Sequence, residues 1–141
     1  MKPALRNILA VVAGAVADGV VVGLTEVFNH RLFPYPPGID LADPAQRDAA
    51  MHTAPAGAFG LVLAGIVMGA LAAGLVAGWV GRRLGANPRH VATVTGGMLA
   101  GVNALNAFRL WHPWWFRVGA VGLSGVVSWW AARRSGGATV S

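Results

Sequence analysis

Residues 49–81 read AAMHTAPAGAFGLVLAGIVMGALAAGLVAGWVG, and no Asp, Glu, Lys or Arg interrupts them. A hydrocarbon layer about 30 Å thick is crossed by roughly 20 mainly apolar helical residues, so the portion over 57–81 reads as a transmembrane helix. Small residues recur in it at every fourth position, Gly65, Gly69, Ala73, Ala77 and Gly81, beside a parallel row of Ala70, Gly74 and Gly78. Lipid is as apolar as leucine, so helices within it associate by close backbone approach, which such rows permit. A further row, Thr93, Gly97 and Gly101, lies in the apolar run over 91–108. These two segments are expected to form the packing spine of a bundle.

Outward from this centre, the runs over 8–28 and 113–132 complete a set of four. The chain of 141 residues is 55% hydrophobic and only 11% charged, about half the charge of an ordinary soluble domain. The expected fold is all-α: a polytopic membrane protein with a four-transmembrane-helix bundle and one long outer loop, forming a single membrane domain over 1–141. Arg117 falls in the first turn of the last span, where its stem can reach the headgroups. Asp18 interrupts the first span, at a cost of roughly 2.5 to 3.5 kcal/mol at the helix centre. Eleven large apolar residues between Ile8 and Phe28 oppose it, at roughly 0.3 to 0.6 kcal/mol each, and insertion wins. Lys2 and Arg6 ahead of this run, with Ala15-Val16-Ala17 as a cleavage site, would also suit a signal peptide. The apolar run resumes at Gly19 and continues to Phe28, which favours a retained span.

If all four runs cross, Lys2, Arg6, Arg82, Arg83, Arg89, Arg133 and Arg134 share one side and Arg31, Arg47, Arg109 and Arg117 the other. The excess of basic residues marks the cytoplasmic side, so a multi-pass protein of the bacterial inner (plasma) membrane with both termini cytoplasmic is expected. The six tryptophans agree, because all fall at expected interfaces, where a ring that is apolar with a wet N–H is favoured. The net charge of +6 is not a nucleic-acid signature, since the basic residues sit between apolar runs rather than along one stripe. The partner these features imply is the lipid bilayer, with a homo-oligomer or a membrane-protein partner left open. Absence of cysteine removes thiolate metal sites, disulfides and a cysteine nucleophile.

The outer loop over 29–55 begins with Pro34-Tyr35-Pro36-Pro37-Gly38, which cannot continue a helix. A short helix over about 44–52 is expected after it. Asp43 serves as N-cap, Pro44 takes the first helical position, and Gln46 completes an Asp-x-x-Gln pattern. The loop reads either as a lid on the outer face or as an ordinary solvated connection.

Within the first span, Asn7, Gly14, Asp18, Thr25 and Asn29 lie within roughly 40° of one line at 100° per residue, and that line should face the bundle. An ionisable group at membrane depth is a functional candidate by default. Asp18 leads, with Glu26, Asn103 and Asn106 as further intramembrane polar groups; the bland alternative has Asp18 hydrogen-bonded to Asn103, Asn106 or Ser124. A second cluster is expected at the outer face from Glu26, His30, Asp40, Asp43, His52, Asn106, Arg109 and His112. Glu26 and His30, four residues apart, together with His112, are the candidate ligands if a divalent metal binds there, against a simple Glu26–Arg109 pair at a wet interface. No Ser/His/Asp arrangement is compelling, and no cofactor is required.

The order Glu26-x-x-x-His30, Pro34-x-Pro36-Pro37-Gly38-x-Asp40, Asp43-Pro44 and His112-Pro113-x-Trp115 resembles a group of small, uncharacterised bacterial four-helix membrane proteins. That resemblance implies the topology and no activity. The chain is also similar to small multidrug-resistance transporters in having four helices and an acid in the first. It departs from them in its long outer loop, its second acid, its single tyrosine and its charge bias. The leading expectation is a small bundle that conducts or transports protons or a small solute with Asp18 and Glu26. The alternatives are a structural or accessory membrane subunit and a metal-dependent membrane enzyme, with the balance against an enzyme.

Overall fold

The computed structural model describes residues 1–136, all-α, with five helices: α1 (Pro3–Leu32), α2 (Pro44–Thr53), α3 (Ala56–Leu84), α4 (Pro88–Arg109) and α5 (Trp114–Gly136). Residues 137–141 of the expected single domain lie outside the described ones. Three helices, α1, α3 and α4, are long and apolar enough to cross a membrane. α5 is not among them, because Arg117, Arg133, Arg134 and four tryptophans dilute its apolar content.

Local chemistry sets the helix ends. Pro3, Pro44 and Pro88 each open a helix, where the missing N–H costs nothing. Gly85 ends α3 at φ 65° in the left-handed region, which a residue with a Cβ resists. Asn87 caps α4 by accepting from the backbone of Arg89 and His90, and its own N–H donates to Asn7 Oδ1 at 3.0 Å. One short turn thus starts α4 and ties it to the beginning of α1.

The two small-residue rows of α3 serve two neighbours. Against α1, which runs antiparallel, Gly65 meets Thr25, Gly69 meets Asp18, and Ala73 and Ala77 meet Gly14. A Cβ at Gly65 or Gly69 would stand 2.5 Å or 2.6 Å from those side chains, so the close approach depends on glycine. On the second row, Gly74 faces Ser128 and Ala131 of α5, and Gly78 faces Ala132 and Ser135. The other expected row is corrected: Gly97 and Gly101 have nothing within 4 Å of a built Cβ. The residue beside that row, Gly96, makes the contact instead, against Gly125 and Trp129 of α5. Spacing identifies a small face, but not which of two adjacent faces meets a helix.

The four long helices form a ring in which α1 packs on α3, α3 on α5 and α5 on α4. Between α4 and α1 the ring closes only lightly, and among the described residues α1 does not meet α5. The closure lies at the arginine-rich end, where Ala10 and Val11 pack with Ala77 and Val91, close to the Asn7–Asn87 bond. Outward faces are largely apolar, including Val16 (62% exposed), Phe108 (77%) and Val118 (67%). In water such a surface would drive aggregation, whereas in lipid it is the solvated face.

Candidate functional site

Toward the end that carries α2, the light α1–α4 seam opens into a cavity of about 630 Å³. α1 contributes Val22, Glu26 and Asn29 at helical spacing, and α4 contributes Asn103, Asn106 and Ala107. Val62 and Ile66 of α3 and Phe116 and Ala120 of α5 supply apolar walls. Polar side chains therefore come from the two helices that part, and apolar ones from the two that stay packed.

α2 covers this cavity, and its sequence explains how. Asp43 accepts from Ala45 N at 2.9 Å and from Gln46 Nε2 at 3.0 Å, while Gln46 Oε1 accepts from Asp40 N. The Asp-x-x-Gln pattern thus caps the helix, with the glutamine reaching Asp40 N–H rather than the N-cap's own. Arg47, Ala50, Met51 and Ala54 share one face of α2, and all four line the cavity; Met51 and Ala54 also pack on the Phe59–Phe116 cluster. A neighbouring face holds the α4–α5 turn: Asp48 Oδ1 accepts the Trp111 N–H at 3.2 Å. His52 lies over the Trp111 ring at 4.1 Å and 3.7 Å from Asp48.

The electrostatics are unbalanced inside. Asn29 Oδ1 and Arg47 Nε are buried with no hydrogen-bond partner among the described residues, although buried polar atoms are nearly always bonded. Burial and the nearby Glu26 carboxylate push the Tyr35 hydroxyl pKa above its ordinary value, while Arg47 pulls it down. The His112 imidazole is held below its usual pKa, mainly by desolvation. Its ring stacks on Phe116 at 4.6 Å, and Nδ1 lies 3.0 Å from the Leu110 carbonyl. Asp43 is held low by the backbone N–H of Ala45 and by the Gln46 side chain.

The structure divides the expected site residues. Glu26, His30, Asn103, Asn106 and His112 all line the cavity. Asp18 lies one turn below Val22 with its carboxylate over Gly69, and no bond joins it to Asn103, Asn106 or Ser124. Asn103 and Ser124 turn back to their own helices, donating to the Leu99 and Ala120 carbonyls. Asp40 and Asp43 are spent on the α2 cap, and His52 on Trp111. Arg109 is exposed and makes no ion pair with Glu26 among the described residues. Among those residues no three His or carboxylate side chains gather closely enough to hold a metal ion, so Glu26, His30 and His112 share a cavity without sharing a coordination sphere. Sequence reasoning missed Arg47 and Asp48. Arg47 has a legible signal, a lone cation on the otherwise apolar face of Ala50, Met51 and Ala54, and Asp48 has one in its i, i+4 relation to His52.

The chain matches no known family model, no curated protein and no solved structure. The resemblance to small bacterial four-helix proteins therefore stands on its short motifs alone.

Proposed function

We propose that this chain is a four-span protein of the bacterial inner membrane that admits a small solute from the outer aqueous phase into the α2-covered cavity and couples its movement to protonation of Asp18. The cavity carries this reading: polar groups on its α1 and α4 sides, apolar walls from α3 and α5, a helix across its mouth, and an acid one turn beneath its lining residue Val22. α5 is the fourth span in this reading. Its 23 residues reach about 34 Å at 1.5 Å per residue, it packs along α3 and α4, and its tryptophans stand near its two ends. The seven-to-four distribution of basic residues supports placing the arginine-rich end and both termini in the cytoplasm.

Asp18 supplies the coupling because an ionisable group at membrane depth is costly and by default marks a proton or ion path, and Gly69 leaves space for its carboxylate against α3. Proteoliposomes with a trapped pH-sensitive dye test it, under a potassium potential set by valinomycin. Proton uptake is expected for the native chain and is lost in Asp18→Asn, with helicity and monodispersity retained. Equal uptake by both proteins, or none by either, would remove Asp18 coupling.

A further inference from the structure

Four carboxylates stand at the α2 end of the bundle, and three are already engaged. Asp40 and Asp43 accept backbone N–H groups of the α2 cap, and Asp48 accepts the Trp111 N–H and lies beside His52. Glu26 is left, with no hydrogen-bond or ionic partner among the described residues, and it faces the cavity. Of the cations at the same end, Arg47 faces the same cavity, and its Nε is buried with no partner among the described residues. Both charges act on the Tyr35 hydroxyl, so they border one region. Yet they are not joined: the one carboxylate–cation contact within 4.0 Å among the described residues is His52–Asp48.

A cavity that holds one uncompensated carboxylate and one uncompensated guanidinium is complementary to neither a simple anion nor a simple cation. An anion bound at Arg47 leaves Glu26 without a counter-charge, and a cation at Glu26 leaves Arg47 so. Asn29 stands three residues from Glu26 on α1 and lines the same cavity, although its Oδ1 is shielded from an occupant. The Glu26 wall is built to receive donors, and the Arg47 side of the lid to receive acceptors. Beside them Phe59, Val62 and Ile66 of α3 and Phe116 of α5 offer only carbon. The volume, about 630 Å³, falls within the roughly 300–1,000 Å³ of small-molecule sites.

We infer that the cavity takes a small zwitterion with an apolar tail, its ammonium on Glu26, its carboxylate or phosphate on Arg47, and its tail against the apolar wall of Val62, Ile66 and Phe116. This rests on the reading of the cavity as a solute site and supplies its substrate class. Free apolar α-amino acids and zwitterionic lipid headgroups share the chemistry, and the two are separable by probe.

The experiment measures binding by calorimetry to the full chain in maltoside detergent. The probes are L-leucine, glycerophosphoethanolamine, N-acetyl-leucine, which keeps only the negative charge, and leucinamide, which keeps only the positive one. At least one of the two zwitterions is expected to bind about tenfold more tightly than either singly charged probe, the effect of one charge-assisted contact. Leucine as the tighter zwitterion identifies an aqueous source, and glycerophosphoethanolamine a lipid one. Glu26→Gln should erase the advantage over N-acetyl-leucine and keep that over leucinamide, and Arg47→Gln should do the reverse. Loss of both advantages in either variant, with unchanged thermal unfolding, overturns the assignment of the two poles. Singly charged probes binding as well as both zwitterions overturn the class while leaving a solute site. If nothing binds, Asn106→Cys, the single cysteine of its variant, decides what falls. Reaction with an aqueous thiol reagent overturns the zwitterion class alone, and no reaction in folded protein overturns the solute-site reading with it.

Discussion

Across 63 residues of chain, the Trp111 N–H donates to Asp48 Oδ1 at 3.2 Å, pinning α2 to the turn between α4 and α5. Asp48→Ala removes the bond and the carboxylate beside His52 together. The half-exposed setting of the pair limits the loss to about 1 kcal/mol. The expected outcome is a several-fold faster reaction of a cysteine at position 106 with an aqueous thiol reagent, and no change at a cysteine placed at position 83. An unchanged rate at 106 would show that Asp48 does not hold the lid.

Glycines that look alike in sequence should differ in what they tolerate. A Cβ at Gly74 meets the Ser128 carbonyl, and one at Gly69 meets the Asp18 carboxylate at 2.6 Å, so Gly74→Ala and Gly69→Ala are expected to destabilise by about 1–3 kcal/mol. The rigid backbone neighbour makes Gly74→Ala the worse of the two. Gly97→Ala meets nothing within 4 Å and should fall within about 0.5 kcal/mol of the parent, or slightly above it through higher helix propensity. Unfolding titrations in mixed detergent micelles order the three, and an equal loss at Gly97 would place that face against a neighbour.

His112 makes stability depend on pH with a definite sign. Desolvation lowers its folded-state pKa below the ordinary 6.5, so the unfolded chain binds more protons in that window and stability falls as pH drops from about 6.5 through the folded value. Above 6.5 its contribution is fully present. The neutral ring stacks on Phe116, and Arg117 opposes its protonation. His112→Phe keeps an aromatic stack and should flatten the midpoint between pH 5 and 7; a slope identical to that of the native chain would assign the titration elsewhere.

The inward faces of α1 and α3 were legible, α3 as two rows of small residues and α1 as a line through Gly14, Asp18 and Thr25. Their pairing was not: the expected spine of α3 with α4 is corrected, since α3 packs on α1 and α5 and only lightly on α4. The α2 cap was legible for a local reason, since Asp43, Pro44 and Gln46 act within a few residues of one another. The Gly97 row was misleading because Gly96 sits beside it, and one residue of rotation decides which glycine meets α5. At the candidate site, the long-range pairings were hidden. Asp48 with Trp111 and Arg47 under the lid depend on how a proline-rich connection folds back, which no periodicity encodes. The eight-residue outer cluster separated for the same reason, because Asp40 and Asp43 found backbone partners close at hand.

The proposed topology is testable in a chain with no native cysteine. A cysteine replacing Asp40 should react in intact cells with a membrane-impermeant thiol reagent, and one replacing Arg83 only after the cells are opened. The same pattern of access at both positions would put the two ends of the bundle on one side and end the four-span arrangement.

The thin joint between α1 and α4 gives the cavity a flank as well as a mouth. α1 leans on α3 along its length, while its attachment to α4 is concentrated at the opposite end, around Val11, Val91 and the Asn7–Asn87 bond. A small tilt of α1 about that anchorage would therefore widen a slit facing the acyl chains while the lid stayed latched. Cargo with a hydrocarbon tail would then have a sideways route into one leaflet, separate from the path its polar head takes to water.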